Sequence, residues 1–216
     1  MGLTLAIESS SINYGVTLDG AETVLRRDDP SFTSIGGLVQ TTLDEAGHTA
    51  ADIALIAVNL GPGNLSSVRA GVAYANGLAF SLGRQVVGLH GLRVLAYTAA
   101  PDTDLPVLCL RNAGAGNVYA AVYERGRATL MRHDKLSEIA AEVRAAHSAL
   151  IVAGSFRDQA IALLDGVDVT DSGVEVPSSL ATYRLTVTPP ADADWAPADV
   201  VSPINEQTAP FTGEIP

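Results

Sequence analysis

Hydrophobic and polar positions along the chain switch between two rhythms. Residues 3–7 form a short apolar run closed by Glu8 and by Ser9, Ser10 and Ser11. Residues 14–18 make a second run, and Asp19-Gly20 turns it into a third at 22–26. That dipeptide is a strong hairpin signal, because a tight two-residue turn needs positive φ. The rhythm then changes. Ile35, Leu38, Val39, Leu43 and Ala46 recur at helical spacing and stop at Gly47, the residue type that ends helices in a left-handed conformation. Thr49 to Asp52 resembles a capping box before a strand at 53–59. A loop, Leu60-Gly61-Pro62-Gly63-Asn64, leads into a long helix over 65–82. A strand at 85–89 and a helix at 91–100 complete a first half.

The order repeats after a linker at 101–105. Strands are expected at 107–110, 118–123 and 128–132, then a helix at 137–146, a strand at 150–153, a helix at 156–164 and a last strand at 167–170. Both halves read β-β-β-α-β-α-β, the second without a convincing final helix. Hairpins combined with alternating β/α units predict an α/β fold of mixed sheets with helices packed on them. Two such halves in tandem are the architecture of the actin/hexokinase/Hsp70-like (ASKHA) superfamily. The expected division is 1–100, 105–188 and a proline-rich tail, 189–216, read as extended over the surface or partly disordered.

Composition narrows the function classes. Of 216 residues, 47% are hydrophobic and only 5% aromatic, so the core must be aliphatic. The net charge of −11 disfavours direct tRNA binding by this chain alone, since a lone nucleic-acid binder normally carries a basic face. Cys109, the only cysteine, sits in an apolar run and reads as a buried strand residue. The four histidines are scattered, without the close pair of a metal-binding helix. No apolar stretch is long enough to cross a membrane and the start lacks a signal-peptide pattern, so a cytoplasmic location is expected.

The candidate chemistry gathers at strand-to-helix loops. Glycines before a helix N-terminus can let backbone N–H groups approach a phosphate, which makes Gly61 and Gly63 candidates together with Glu8, Ser9 and Ser10 after the first strand. The competing reading is a tight turn, with Pro62 fixing φ and the glycines taking unusual dihedrals. In the second half, Asn112-Ala113-Gly114-Ala115-Gly116-Asn117 sits where active superfamily members cradle phosphates, giving Gly114 and Gly116. The strand before it ends Leu110-Arg111, without the Asp that would organise a metal and a catalytic water.

Gly61-Pro62-Gly63-Asn64-Leu65-Ser66-Ser67-Val68-Arg69-Ala70-Gly71 resembles the signature of the bacterial TsaB (YeaZ) family, in which Gly-Pro-Gly is followed by Ser-Phe-Thr-Gly-Leu-Arg and a Gly. Gly61, Pro62, Gly63, Arg69 and Gly71 match, whereas residues 64–67 depart. The resemblance extends to the opening strand, with Glu8 where Asp is usual, and to residues 83–89 and 118–123. It is that of a divergent member. It implies a non-catalytic accessory protein in the threonylcarbamoyladenosine modification of tRNA A37, which binds and activates a TsaD-type transferase and reaches tRNA only indirectly. It implies no catalytic residue, no metal and no cofactor of its own, with ATP or ADP entering only alongside a partner. The family's first two helices pair with TsaD or with a second copy, which here points to Ile35, Leu38, Arg69, Ala73, Tyr74, Gly77 and Leu78 and to a homodimer. Two other readings are a small-molecule kinase or carbamoyltransferase of the same superfamily, and an unrelated homodimer that shares only the fold.

Overall fold

The computed structural model describes residues 2–191 and 193–205, so the end of the tail read from the sequence, 206–216, lies outside them. The chain forms two compact units. One joins residues 1–91 to 178–203, and the other holds 92–177 with 204 and 205.

In the first unit, β1 (Leu3–Glu8), β2 (Asn13–Leu18) and β3 (Ala21–Arg26) form an antiparallel meander. Then follow α1 (Ile35–Ala46), β4 (Ile53–Asn59), α2 (Leu65–Leu82) and β5 (Gln85–Leu89), with the sheet ordered β3-β2-β1-β4-β5. The second unit holds α3 (Gly91–Ala99), β6 (Val107–Gly114), β7 (Asn117–Glu124), β8 (Arg127–Lys135), α4 (Leu136–Ala146), β9 (Ala149–Gly154), α5 (Arg157–Leu163) and β10 (Asp168–Asp171). Its order, β10-β9-β6-β7-β8, is the first sheet's order over again, so the tandem α/β duplication read from the sequence is present. The β2–β3, β6–β7 and β7–β8 hairpins each turn on two residues of positive φ: Asp19-Gly20, Ala115-Gly116 and Arg125-Gly126. That twist matches the strands it joins.

Local chemistry fixes the first two helices. The Ser34 side chain accepts the Gly37 N–H to open α1, and Asn64 accepts the Ser67 N–H to open α2. Both close on a left-handed glycine, Gly47 or Gly83, whose following residue donates back to Leu43 or Ala79. Leu5 and Ile7 of β1, Tyr14, Val16 and Leu18 of β2, and Ile56 and Val58 of β4 meet α1 and α2 in one aliphatic core. In the second unit, Leu108, Leu110, Val118 and Val122 pack with Ile139 and Val143 of α4, while Cys109, Tyr119 and Ala121 pack with Leu92 and Leu95 of α3.

The division differs from the one read along the chain in two places. Helix α3 joins the second unit through Leu92, Leu95 and Ala96. A further helix, α6 (Ser179–Val187), follows the second unit in sequence yet belongs to the first, against β1 and β2. Its sequence, SLATYRLTV, hides it, because its buried positions include Ser179 and Thr182 rather than an apolar stripe. The sheet face beneath is matched in size, for Gly15 and Thr17 of β2 point away from the aliphatic core by strand alternation. A Cβ on Gly15 would come within 2.7 Å of Ser179 Oγ. Thr17 Oγ1 donates to Ser179 Oγ at 2.9 Å, and Ser179 Oγ donates to Glu22 Oε1 at 2.7 Å.

Ser179→Ala removes the centre of this relay and leaves the Thr17 hydroxyl buried without its acceptor, a loss of about 2 kcal/mol in urea unfolding. Unchanged stability would mean that α6 rests on the sheet without being tied to it.

Candidate functional site

The carboxyl ends of β1 and β4 converge on one buried carboxylate. Glu8 is 2% exposed. Its Oε1 accepts the Ser10 N–H at 2.6 Å, and its Oε2 accepts the Asn59 side-chain amide. Asn59 Oδ1 in turn accepts the Gly61 N–H at 2.8 Å, and the Gly61 carbonyl accepts the Gly91 N–H at 2.6 Å. From the other side the Ser10 carbonyl accepts the Asn64 N–H at 2.9 Å, and Ser9 Oγ donates to the Ser67 carbonyl at 3.0 Å. A burial this complete is tolerable for a carboxyl group only with such partners.

This set closes the loop rather than opening a cradle. A Cβ on Gly63 would collide with the Ser10 backbone, and one on Gly71 with the Ser9 side chain. Ser9 and Ser10 are themselves fully buried. The glycines of the Gly-Pro-Gly loop thus serve close backbone approach, with Gly61 at φ 89°. The structure brings Glu8, Ser9, Ser10, Gly61 and Gly63 together as interior packing. Gly114 and Gly116 belong to the β6–β7 turn of the second unit, where an added Cβ would meet nothing within 4 Å. Asn59, the partner that organises Glu8, escaped the sequence reading; a polar residue ending an otherwise apolar strand is the signal it left.

A second feature lies on α2. Val68, Gly71, Val72, Ala75 and Ala79 face inward, and Ser66, Arg69, Ala70, Ala73, Gly77 and Phe80 are exposed. At 1.5 Å per residue the helix is about 27 Å long, so the exposed stripe runs most of the width of a protein–protein interface of ordinary size. Beside it opens a groove of about 440 Å³ between the start of α1 and α2, lined by Tyr14, Phe32, Ser34, Ile35, Gly36, Ala70 and Tyr74. Tyr14 and Phe32 meet edge to face, with centroids 5.1 Å apart. Burial raises the Tyr74 phenol above its ordinary pKa.

The expected partner face is therefore divided. Arg69, Ala73 and Gly77 are exposed, and Ile35 and Tyr74 reach the groove wall. Leu38 is a correction: it is buried in the aliphatic core, because α1 turns that side to the sheet. Leu78 packs against the same core and is only partly open. Phe32, Ser34 and Gly36 join the groove without having been read as partner residues; around the start of α1, they carry no periodic signal.

Cys109 is fully buried, and burial drives its thiol far above the ordinary range, so it stays protonated. Among the described residues no group of three or more His, Cys, Asp or Glu could hold a metal, and no helix is long and apolar enough to cross a membrane.

A β-meander followed by two helix–strand steps, built twice, is the α/β fold that this chain shares with solved YeaZ structures. A protein from Pseudomonas aeruginosa described as similar to peptidase YeaZ superposes with a TM-score of 0.75 at 22% identity, over 95% of this chain and 99% of that one. YeaZ from Pseudomonas aeruginosa does so with 0.73 at 21%, over 95% and 100%. Residues 32–175 match the family described as TsaD, tRNA N6-adenosine threonylcarbamoyltransferase, and the chain belongs to that family. Among curated relatives, the tRNA N6-adenosine threonylcarbamoyltransferase of Clostridium botulinum strain Hall is 35% identical over 83 residues, 37% of this chain and 24% of that protein. That of Clostridium perfringens strain SM101 is 31% identical over 97 residues, 44% and 29%. The chain spans about a quarter of the length of these relatives.

Glu8→Ala strips the acceptor from two buried donors, so unfolding stability should fall by about 3 kcal/mol, with Glu8→Gln intermediate. Denaturant titration of the three proteins checks this. A Glu8→Ala protein as stable as the parent would return Glu8 to the list of ligand-facing residues.

Proposed function

We propose that this chain is a non-catalytic accessory protein of threonylcarbamoyladenosine formation at tRNA A37, which binds a TsaD-type transferase through the outer face of α2 and the adjoining groove and favours its active arrangement. The supporting observation is the α2 stripe: a helix apolar on its inner side that also leaves Ala70, Ala73, Gly77 and Phe80 open to solvent. Small side chains let a second helix approach closely, and the groove beside Tyr74 offers a recess for an apolar side chain from the partner. An activating partner must bind the active state better than the inactive one, and a rigid helix face can make such differential contacts.

The interior set at Glu8 has a different part. It holds the start of α2 against the sheet and so fixes the direction of the stripe. On this reading the group transfer belongs to the partner, and nucleotide, where it takes part, enters with that partner. The net charge of −11 fits a chain that meets tRNA through another protein's basic surface. A second copy of this chain could occupy the same face when no transferase is present, which gives the homodimer and the heterodimer one shared surface.

Arg at Tyr74 or Leu78 would disturb the core as well as the surface, so the discriminating positions are Ala73 and Gly77. Gly77 has nothing within 4 Å of an added Cβ. Ala73→Arg and Gly77→Arg should stay folded by circular dichroism and bind the host's TsaD-type protein at least a hundredfold more weakly by calorimetry, of order 3 kcal/mol. Binding at parental affinity by both variants would move the partner surface elsewhere.

A further inference from the structure

The tail meets the first unit at two points. Val86 of β5 and Ala198 exchange a reciprocal pair of backbone hydrogen bonds, both 2.9 Å, as an isolated antiparallel bridge. Three residues on, the Asn76 side chain of α2 closes both polar groups of Val201: Nδ2 donates to its carbonyl at 2.9 Å, and its N–H donates to Oδ1 at 3.0 Å. Val201 also packs against the aliphatic core, whereas Asp199 and Val200 are exposed. Pro197 stands next to the bridged Ala198, where a backbone N–H would face away from β5, so the strap offers no donor on its outer side at that position.

We propose that residues 197–201 are a releasable strap, which closes the β5 edge of the first sheet, locks through Asn76 onto α2, and opens as a unit without unfolding the sheet. Four hydrogen bonds and one apolar side chain hold five residues in place. The chain entropy lost in ordering five residues offsets most of what such contacts contribute, so opening lies far below global unfolding in free energy. β5 is an edge strand, with β4 on its other side. Closed, the strap caps the edge where another extended chain could pair. Open, it bares the N–H and carbonyl of Val86 and the Asn76 amide to water. The inference uses contacts within the first unit only and does not depend on the partner reading.

Native-state hydrogen exchange on the full chain tests it. The Val86, Ala198 and Val201 amides should exchange together, at least a hundredfold faster than the paired amides of β1 and β4. Asn76→Ala should accelerate these three at least a further tenfold and leave β1 and β4 unchanged. If the three amides exchange at the rate of β1 and β4 in the parent protein, the strap is part of the global core and the proposal fails. It fails equally if Asn76→Ala leaves the three unaffected or accelerates every amide alike. The parent measurement decides the matter by itself should the variant not fold.

Discussion

Burying the Glu8 carboxylate at the end of β1 is the constraint on which the rest of the first unit depends. A charge-bearing group in that position must collect donors, and the chain supplies them from two directions: Ser10 just beyond β1, and Asn59 at the end of β4. Asn59 passes the constraint on to Gly61, and Gly61 to Gly91 at the start of α3. The loop so held lies so close to the Ser10 backbone that only glycine fits at 63, and α2 lies so close to Ser9 that a Cβ at 71 would collide with its side chain. Helix α2 begins where that loop ends, and its capping residue, Asn64, is pinned to the Ser10 carbonyl. The direction of the longest helix is thus set by hydrogen bonds to a single acid and its neighbours.

A helix held in that way can be apolar on its inner side and still expose small residues outside, because its orientation does not have to come from burying every apolar face. Its inner positions, Val68, Val72, Ala75 and Ala79, go into the core. The outer stripe of Arg69, Ala73 and Gly77 is left to solvent, next to a groove whose walls include Tyr14 and Tyr74. Gly63 and Gly71 make room for the close approach of Ser10 and Ser9. The motif that looks like a nucleotide loop along the sequence holds the start of α2 against the end of β1 through the Ser10–Asn64 and Ser9–Ser67 hydrogen bonds.

Periodicity made the sheet and most helices legible, since alternation in 3–26 and the stripe from Ile35 to Ala46 each have one reading. The boundaries of α2 and β4 followed from strong punctuation, Asn64 and Gly83 for the helix, Asn59 and Gly61 for the strand. Helix α6 was not legible, because its buried face mixes Ser179 and Thr182 with Ala181 and Leu185, and the small polar residues break the hydrophobic period. Nor was its return to the first unit, which no local pattern encodes. The nucleotide candidates were half legible: Glu8, Ser9, Ser10, Gly61 and Gly63 do gather at one place, but whether such a place is filled by a ligand or by the chain itself depends on packing across 50 residues of separation. The partner face suffered a like ambiguity. A stripe on α1 says which residues share a side, not that the sheet claims Leu38 while Ile35 reaches the groove.

Site-specific photocrosslinking asks whether a TsaD-type transferase sits on the outer face of α2, as proposed. A photoreactive residue at Ala73, exposed on α2, and one at Glu138, exposed on α4 of the second unit, would be irradiated in the presence of the host's transferase. The account predicts a covalent adduct with the transferase from position 73 and none from position 138. An adduct from 138 alone, or none from 73 under conditions where the two proteins co-elute, would contradict it.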